Sequence, residues 1–113
     1  MNRDKKNPAS PDNKGECLLH IDVLLLKKSA SILRAVNHKL RQQILSLLHK
    51  EKKLGVTEIY LKLHLDQSVT SQHLAVLRQA GFVTTERRGK QIFYSVNYDR
   101  LDELGEFNIR ILR

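Results

Sequence analysis

The stretch LDQSVTSQHLAVLRQAGFV, Leu65 to Val83, decides how this chain is read. It opens on Asp66, Gln67 and Ser68, a break and a helix N-cap candidate. Apolar residues then recur at spacings of three and four, which a helix turns onto one side. Gly81 follows as a stop, because glycine tolerates the left-handed conformation just past a helix end. The expected helix runs from Gln67 or Ser68 to Ala80. At about 100° per residue, Val69, His73, Val76, Leu77 and Ala80 share one direction, flanked by Thr70 and Leu74. The opposite direction collects Ser68, Ser71, Gln72, Ala75, Arg78 and Gln79, with Gln67 at its edge and no acid among them.

That missing acid separates two uses of a helix. A routine solvent face mixes Glu with Lys at a spacing of four. A face of serines, amides and one arginine instead suits close approach to a polar, negatively charged surface. Gln pairs bidentately with adenine, and Arg78 can reach guanine or phosphate. The helix N-terminus adds partial positive charge toward a phosphate.

Working outward, Val56, Ile59, Tyr60, Leu63 and Leu65 predict a short helix over Val56–Leu65, joined to the helix of the first stretch by a short turn of three to four residues. His38–Lys50 is a further amphipathic helix through Leu40, Ile44, Leu45, Leu47 and Leu48, followed by the charged connection HKEKKLG. After Gly81 the period changes to two. FVTTERRGKQIFYSVN predicts two strands around a turn at Arg87-Arg88-Gly89-Lys90. Three cations at that tip suit phosphate or minor-groove contact; the competing reading is a hairpin edge protected by charge. Helical spacing returns over Tyr98–Arg113 through Leu101, Leu104, Phe107, Ile111 and Leu112. Cys17–Val36 is apolar on more than one side, so it needs more cover than one small domain provides, and a second protomer is the expected cover. Four helices, a hairpin and a last helix describe a mainly α fold with a β-hairpin wing (α+β), a winged helix-turn-helix.

Bulk properties agree. At 113 residues and 41% hydrophobic content the chain suits one compact domain, here placed at residues 17–113. Residues 1–16, polar and holding two prolines, are expected as a flexible tail without a secretory h-region. No apolar run approaches a membrane span; the longest, Val23–Leu26, has four residues. The single cysteine, Cys17, excludes an intramolecular disulfide framework and fits a reducing cytoplasm. The net charge is +8. Residues 34–90 hold eleven Lys and Arg against four Asp and Glu, +7, so the charge surrounds the first stretch. That balance predicts a polyanionic partner, double-stranded DNA.

These residues resemble the ArsR/SmtB family of bacterial winged-helix repressors. LRAVNHKLRQQILSLL (Leu33–Leu48) is similar, without a gap, to the family's LkaLadptRlrILrlL; Leu65–Val83 is similar to its LsqStvShHLkvLreAGlV; RRGKQIFYSV is similar to its wing. The likeness spans roughly Leu33 to Val96. It implies a homodimeric regulator, released from DNA by a metal or another signal. It implies DNA-reading positions at Gln67, Ser68, Ser71 and Gln72, with Arg87, Arg88 and Lys90 on the wing, to which the helix face adds Arg78. It implies a dimer interface on the first and last helices, at Leu18, Ile21, Leu25, Leu101, Leu104, Phe107 and Ile111. The chain departs from the pattern at Lys39, where a proline is usual, and at Val69. The family's Cys-x-Cys metal pair falls on Gly55 and Thr57, where thiolate ligation is impossible. The last helix has no histidine; Asp99, Asp102, Glu103 and Glu106 read as a solvated face, with an oxygen-ligand cation site as the alternative. No metal, cofactor or enzymatic motif is expected, and the effector has no sequence signature. The expected function is sequence-specific transcription regulation, as a repressor on an inverted-repeat operator. The alternative is a winged-helix module for protein interaction or dimerisation, with its basic centre idle.

Overall fold

The computed structural model describes residues 21–113. The expected tail at residues 1–16, Cys17 and Leu18 lie outside the described residues. Two compact units divide after Arg34. The first carries most of α1 (Val23–Val36). Asp22 starts that helix, its Oδ1 accepting from the Leu25 amide at 3.2 Å. The helix therefore begins at Val23, short of the expected start at Cys17, because a capping carboxylate interrupts the apolar run. Ile21, Leu24, Leu25 and Leu26 are all exposed.

The second unit, Ala35–Arg113, holds α2 (Lys39–Glu51), β1 (Leu54–Gly55), α3 (Val56–Leu63), α4 (Gln67–Gln79), β2 (Val83–Arg88), β3 (Gln91–Val96) and α5 (Tyr98–Leu112). His38 caps α2, its Nδ1 accepting from the Leu40 amide at 3.1 Å. α3 stops two residues before Leu65 because His64 takes the left-handed conformation, φ 55°, and turns the chain. Residues 64–66 form the turn of the helix-turn-helix, and Asp66 stands at the N-cap of α4. Gly81 ends α4 as expected, with φ 87°.

Strands β2 and β3 pair antiparallel from Val83 opposite Val96 to Arg88 opposite Gln91. The turn is therefore Gly89-Lys90 alone, and Arg87 and Arg88 belong to the strand rather than to the expected four-residue turn. Gly89 has φ 62°, and a two-residue hairpin turn wants glycine at that first central position. β1 adds a third, antiparallel strand beside β3, giving the order β1-β3-β2. The sequence reading had no β1; two residues carry no periodicity.

The core is Ile44, Leu45 and Leu48 of α2, Leu54, Ile59, then Leu74 and Leu77 of α4, with Phe82, Val83 and Val96 closing it from the hairpin. α4 is rotated from the expected orientation. Its fully buried residues are Thr70, Leu74 and Leu77, while Val69 and His73 are half-buried and Val76 is 36% exposed. A helix wheel weighted by side-chain apolarity discounted Thr70, whose Oγ1 is buried without a hydrogen-bond partner. α5 buries none of its residues: Leu101 and Leu104 are half-buried, and Phe107, Ile109, Ile111 and Leu112 are exposed. The winged helix-turn-helix is the fold of this unit. Among the described residues no helix is long and apolar enough to cross a membrane.

Candidate nucleic-acid interface

The outward side of α4 is built as the sequence implied. Gln67, Ser68, Ser71, Gln72, Ala75, Arg78 and Gln79 are all exposed, and the helix contains no acid. Packing of Leu74 and Leu77 fixes which side this is, so burial inward determines presentation outward.

Ser71 opens into a cleft of about 500 Å³ whose other walls are Gly55–Glu58 at the start of α3 and Lys90–Tyr94 of the wing. The middle of α4, the first turn of α3 and the wing thus converge on one concavity. Thr57 and Gln91 are polar residues of its lining that the sequence reading missed. Their signal is purely spatial, since Thr57 and Gln91 come together only through the β1–β3 pairing. At the position where the family's metal pair would stand, the Gly55 amide donates to Glu58 Oε1 at 3.2 Å. Among the described residues no group of three or more His, Cys, Asp or Glu is placed to hold a metal ion.

The wing cations do not form one cluster. Arg87 and Arg88 are successive strand residues, so their side chains leave opposite faces of the ribbon. Arg87 Nε donates to the Gly89 carbonyl at 3.2 Å, which holds it at the turn. Arg88 Nε donates to Glu86 Oε2 at 2.7 Å, and its guanidinium lies 5.9 Å from the centre of the Phe93 ring. Lys53 binds the other oxygen of Glu86. The hydrogen bonds from Lys53, then from Arg88, pull the Glu86 carboxyl down to about 2, so the wing's single acid stays ionised at neutral pH. Lys53 and Glu86 join the wing root to the connection after α2, a role the sequence reading did not assign. Lys90 is exposed at the turn and lines the cleft.

Behind α4, His73 Nδ1 accepts from Arg41 Nε at 3.2 Å, and Arg41 Nη1 donates to the Ala35 carbonyl at 3.0 Å. His73 is thus a hydrogen-bonded packing histidine. At the other end of α4, Arg100 Nε donates to the Ala80 carbonyl at 3.0 Å and Asn97 Nδ2 to the Gly81 carbonyl at 2.9 Å. α4 is thus held at both ends by polar contacts to neighbouring elements.

A family model described as "Bacterial regulatory protein, arsR family" matches residues 38–85, from the cap of α2 into β2. Transcriptional repressor PagR of Bacillus anthracis is 35% identical over 82 residues, 73% of this chain and 82% of that protein. Transcriptional activator HlyU of Vibrio cholerae is 39% identical over 70 residues, 62% of this chain and 64% of that protein. Among solved structures, PagR superposes with a TM-score of 0.60 at 33% identity, covering 80% of this chain and 98% of that one. NolR of Sinorhizobium fredii gives 0.64 at 30% identity, covering 89% and 92%.

Proposed function

The chain belongs to the arsR family of bacterial regulatory proteins, a family of regulators rather than enzymes, and from that premise we propose that it regulates transcription as a homodimeric repressor reading an inverted-repeat operator in the cytoplasm. The observation that carries this reading is the acid-free outer face of α4, exposed at Gln67, Ser68, Ser71 and Gln72 and opening into a cleft that Lys90 shares. Those four residues meet bases and nearby phosphates. Arg78 meets the strand at the helix C-terminal end, and Arg87, Arg88 and Lys90 position the wing on the backbone. The exposed apolar residues Leu25 on α1 and Ile21 just before it, and Phe107 and Ile111 on α5 with half-buried Leu101 and Leu104, support a second protomer as their cover. Leu18, the remaining expected interface position, lies outside the described residues. Two protomers place two α4 helices in successive major grooves, with half-sites about 10 bp apart or a multiple of that.

Selection of bound sequences from a random duplex pool tests all of this together. The expected product is an inverted repeat with that spacing. No enrichment, together with no retarded duplex at low salt, overturns the reading. PagR is a named repressor and HlyU a named activator, so the footprint's position relative to the promoter decides the sign of control.

Gln72→Ala is expected to weaken the selected operator by about 1–3 kcal/mol and leave random duplex nearly unaffected, because a bidentate amide to adenine carries discrimination rather than bulk attraction. Fluorescence anisotropy on both duplexes measures this. Equal losses on the two would reassign Gln72 to the phosphates.

A further inference from the structure

Resting on the reading of α4 as the DNA-contacting helix, we propose that His73 is a positioning residue for that helix, working through Arg41, and that protonation of His73 releases specific DNA in mildly acidic conditions. The Arg41 guanidinium has only donors, so the nitrogen it meets at 3.2 Å, His73 Nδ1, must present a lone pair. The amide of Leu40 is also a donor, so His38 Nδ1 must present one too, at 3.1 Å. The bond from Arg41 therefore requires the neutral His73 imidazole, with its proton on Nε2. An imidazolium donates from both nitrogens and can make neither bond.

The two rings lie together, centroids 4.6 Å apart and tilted by 55°. One ring belongs to α4 and the other caps α2, so the pair forms a joint between the reading helix and the helix behind it. Arg41 extends that joint to the Ala35 carbonyl. Protonating His73 breaks its bond to Arg41 and sets a second cation against that guanidinium. The joint has two arrangements, bonded when neutral and repelling when charged.

The charges that bear on His73 are those of His38 and Arg41, both at the start of α2. Against α4 also pack α3, with Glu58 and Lys62, and β2, with Glu86, Arg87 and Arg88. Glu58 is taken up by the Gly55 amide and Glu86 by Lys53 and Arg88, so neither carboxylate stands ready to accept the new charge. Burial first, then His38 and Arg41, hold His73 below its ordinary value. The sign follows. The neutral, bonded form is complete above the ordinary histidine value, and its contribution is lost as pH falls from there through the lowered value of His73.

His73 faces inward, so its added charge does not subtract from bulk attraction to DNA. Specific and non-specific binding should part company. The test measures operator and random-duplex affinity by anisotropy in wild type, His73→Gln and His38→Asn, with circular dichroism at each pH to confirm the fold. Wild-type operator affinity is expected to fall about tenfold between about pH 7.5 and about pH 5.5, with random-duplex affinity steady or rising. His73→Gln offers an acceptor to Arg41 that does not titrate, and its profile should be flat to within about twofold over the same range. His38→Asn keeps an N-cap acceptor and removes a neighbour that lowers His73, so its midpoint should move to higher pH. A second readout needs no DNA. In nuclear magnetic resonance the Arg41 Nε–H signal should shift with the same midpoint as the His73 ring. A flat wild-type profile, or an equal fall in His73→Gln, overturns the proposal while leaving the DNA reading intact. Absence of operator binding at every pH overturns the DNA reading, and this inference with it.

Discussion

Changing Arg87 and Arg88 together to alanine is expected to flatten the plot of log affinity against log salt by about two units, with about tenfold less loss of binding between about 50 and 200 mM salt. The expectation follows from counterion release. Each cation that neutralises a phosphate contributes roughly 0.9 to the slope on duplex DNA, whatever the sequence. The structure adds a finer expectation, because the two arginines leave opposite faces of β2. Arg87 is held at the turn by the Gly89 carbonyl, whereas Arg88 already has an anion, Glu86. A phosphate must compete with that carboxylate for Arg88. Exposed ion pairs of this kind are weak because water screens them, so the exchange is feasible. Arg87→Ala alone should then take at least half of the change in slope. Titrations of the two single variants and the double at several salt concentrations measure it. An unchanged slope in the double variant removes the wing from the contact surface. A change confined to Arg88→Ala reverses which face of the ribbon meets the backbone.

Why the wing's outline was readable in the sequence, and its face assignment was not, comes down to range. The hairpin announces itself through local chemistry: β-branched and aromatic residues at period two, and a glycine where the turn requires positive φ. The C-terminal boundary of α4 is equally local, set by Gly81 in the left-handed conformation, while Asp66 stands at the N-cap without a side-chain bond to the helix amides. How α4 faces the core is not local. Its buried centre is Thr70, Leu74 and Leu77 because α2, α3 and β2 meet it there, and no weighting by polarity selects a threonine with an unpartnered hydroxyl. β1 is shorter still. Two residues pair with Tyr94 and Phe93, nearly forty positions on, and only that pairing carries Gly55 and Thr57 to the wing. The helix-face residues could be chosen from spacing alone. Thr57, Gln91, Lys53 and Glu86 could not, since each owes its position to a strand or an ion pair formed at long range.

The largest loss of stability is expected from Gly81→Val, about 2–4 kcal/mol, with unfolding about 10 °C or more lower. Two costs combine at this position. Gly81 has φ 87°, where a side chain costs about 1–2 kcal/mol and a β-branched one is a genuine outlier. A Cβ there would also stand 3.1 Å from Arg100 Nε, the atom that donates to the Ala80 carbonyl. The Arg100 guanidinium must shift to admit that Cβ, which pulls Nε from its bond to the Ala80 carbonyl. A displaced guanidinium leaves that helix-end carbonyl without its donor, at about 1 kcal/mol. Gly89→Val is the control. Gly89 also has positive φ, 62°, but a Cβ there meets nothing within 4 Å. Its loss should stay near the conformational cost alone. Urea unfolding of the two variants beside wild type separates the terms, and equal losses would show that the Arg100 contact contributes nothing. The comparison also bears on function. Asn97 caps α5 and Arg100 lies in its first turn, so the clamp on the end of α4 is the start of the helix whose apolar side is exposed. A Gly81→Val chain folded well below its midpoint should therefore lose operator affinity more than random-duplex affinity, since loosening that clamp tilts α4 without removing a single cation from the surface.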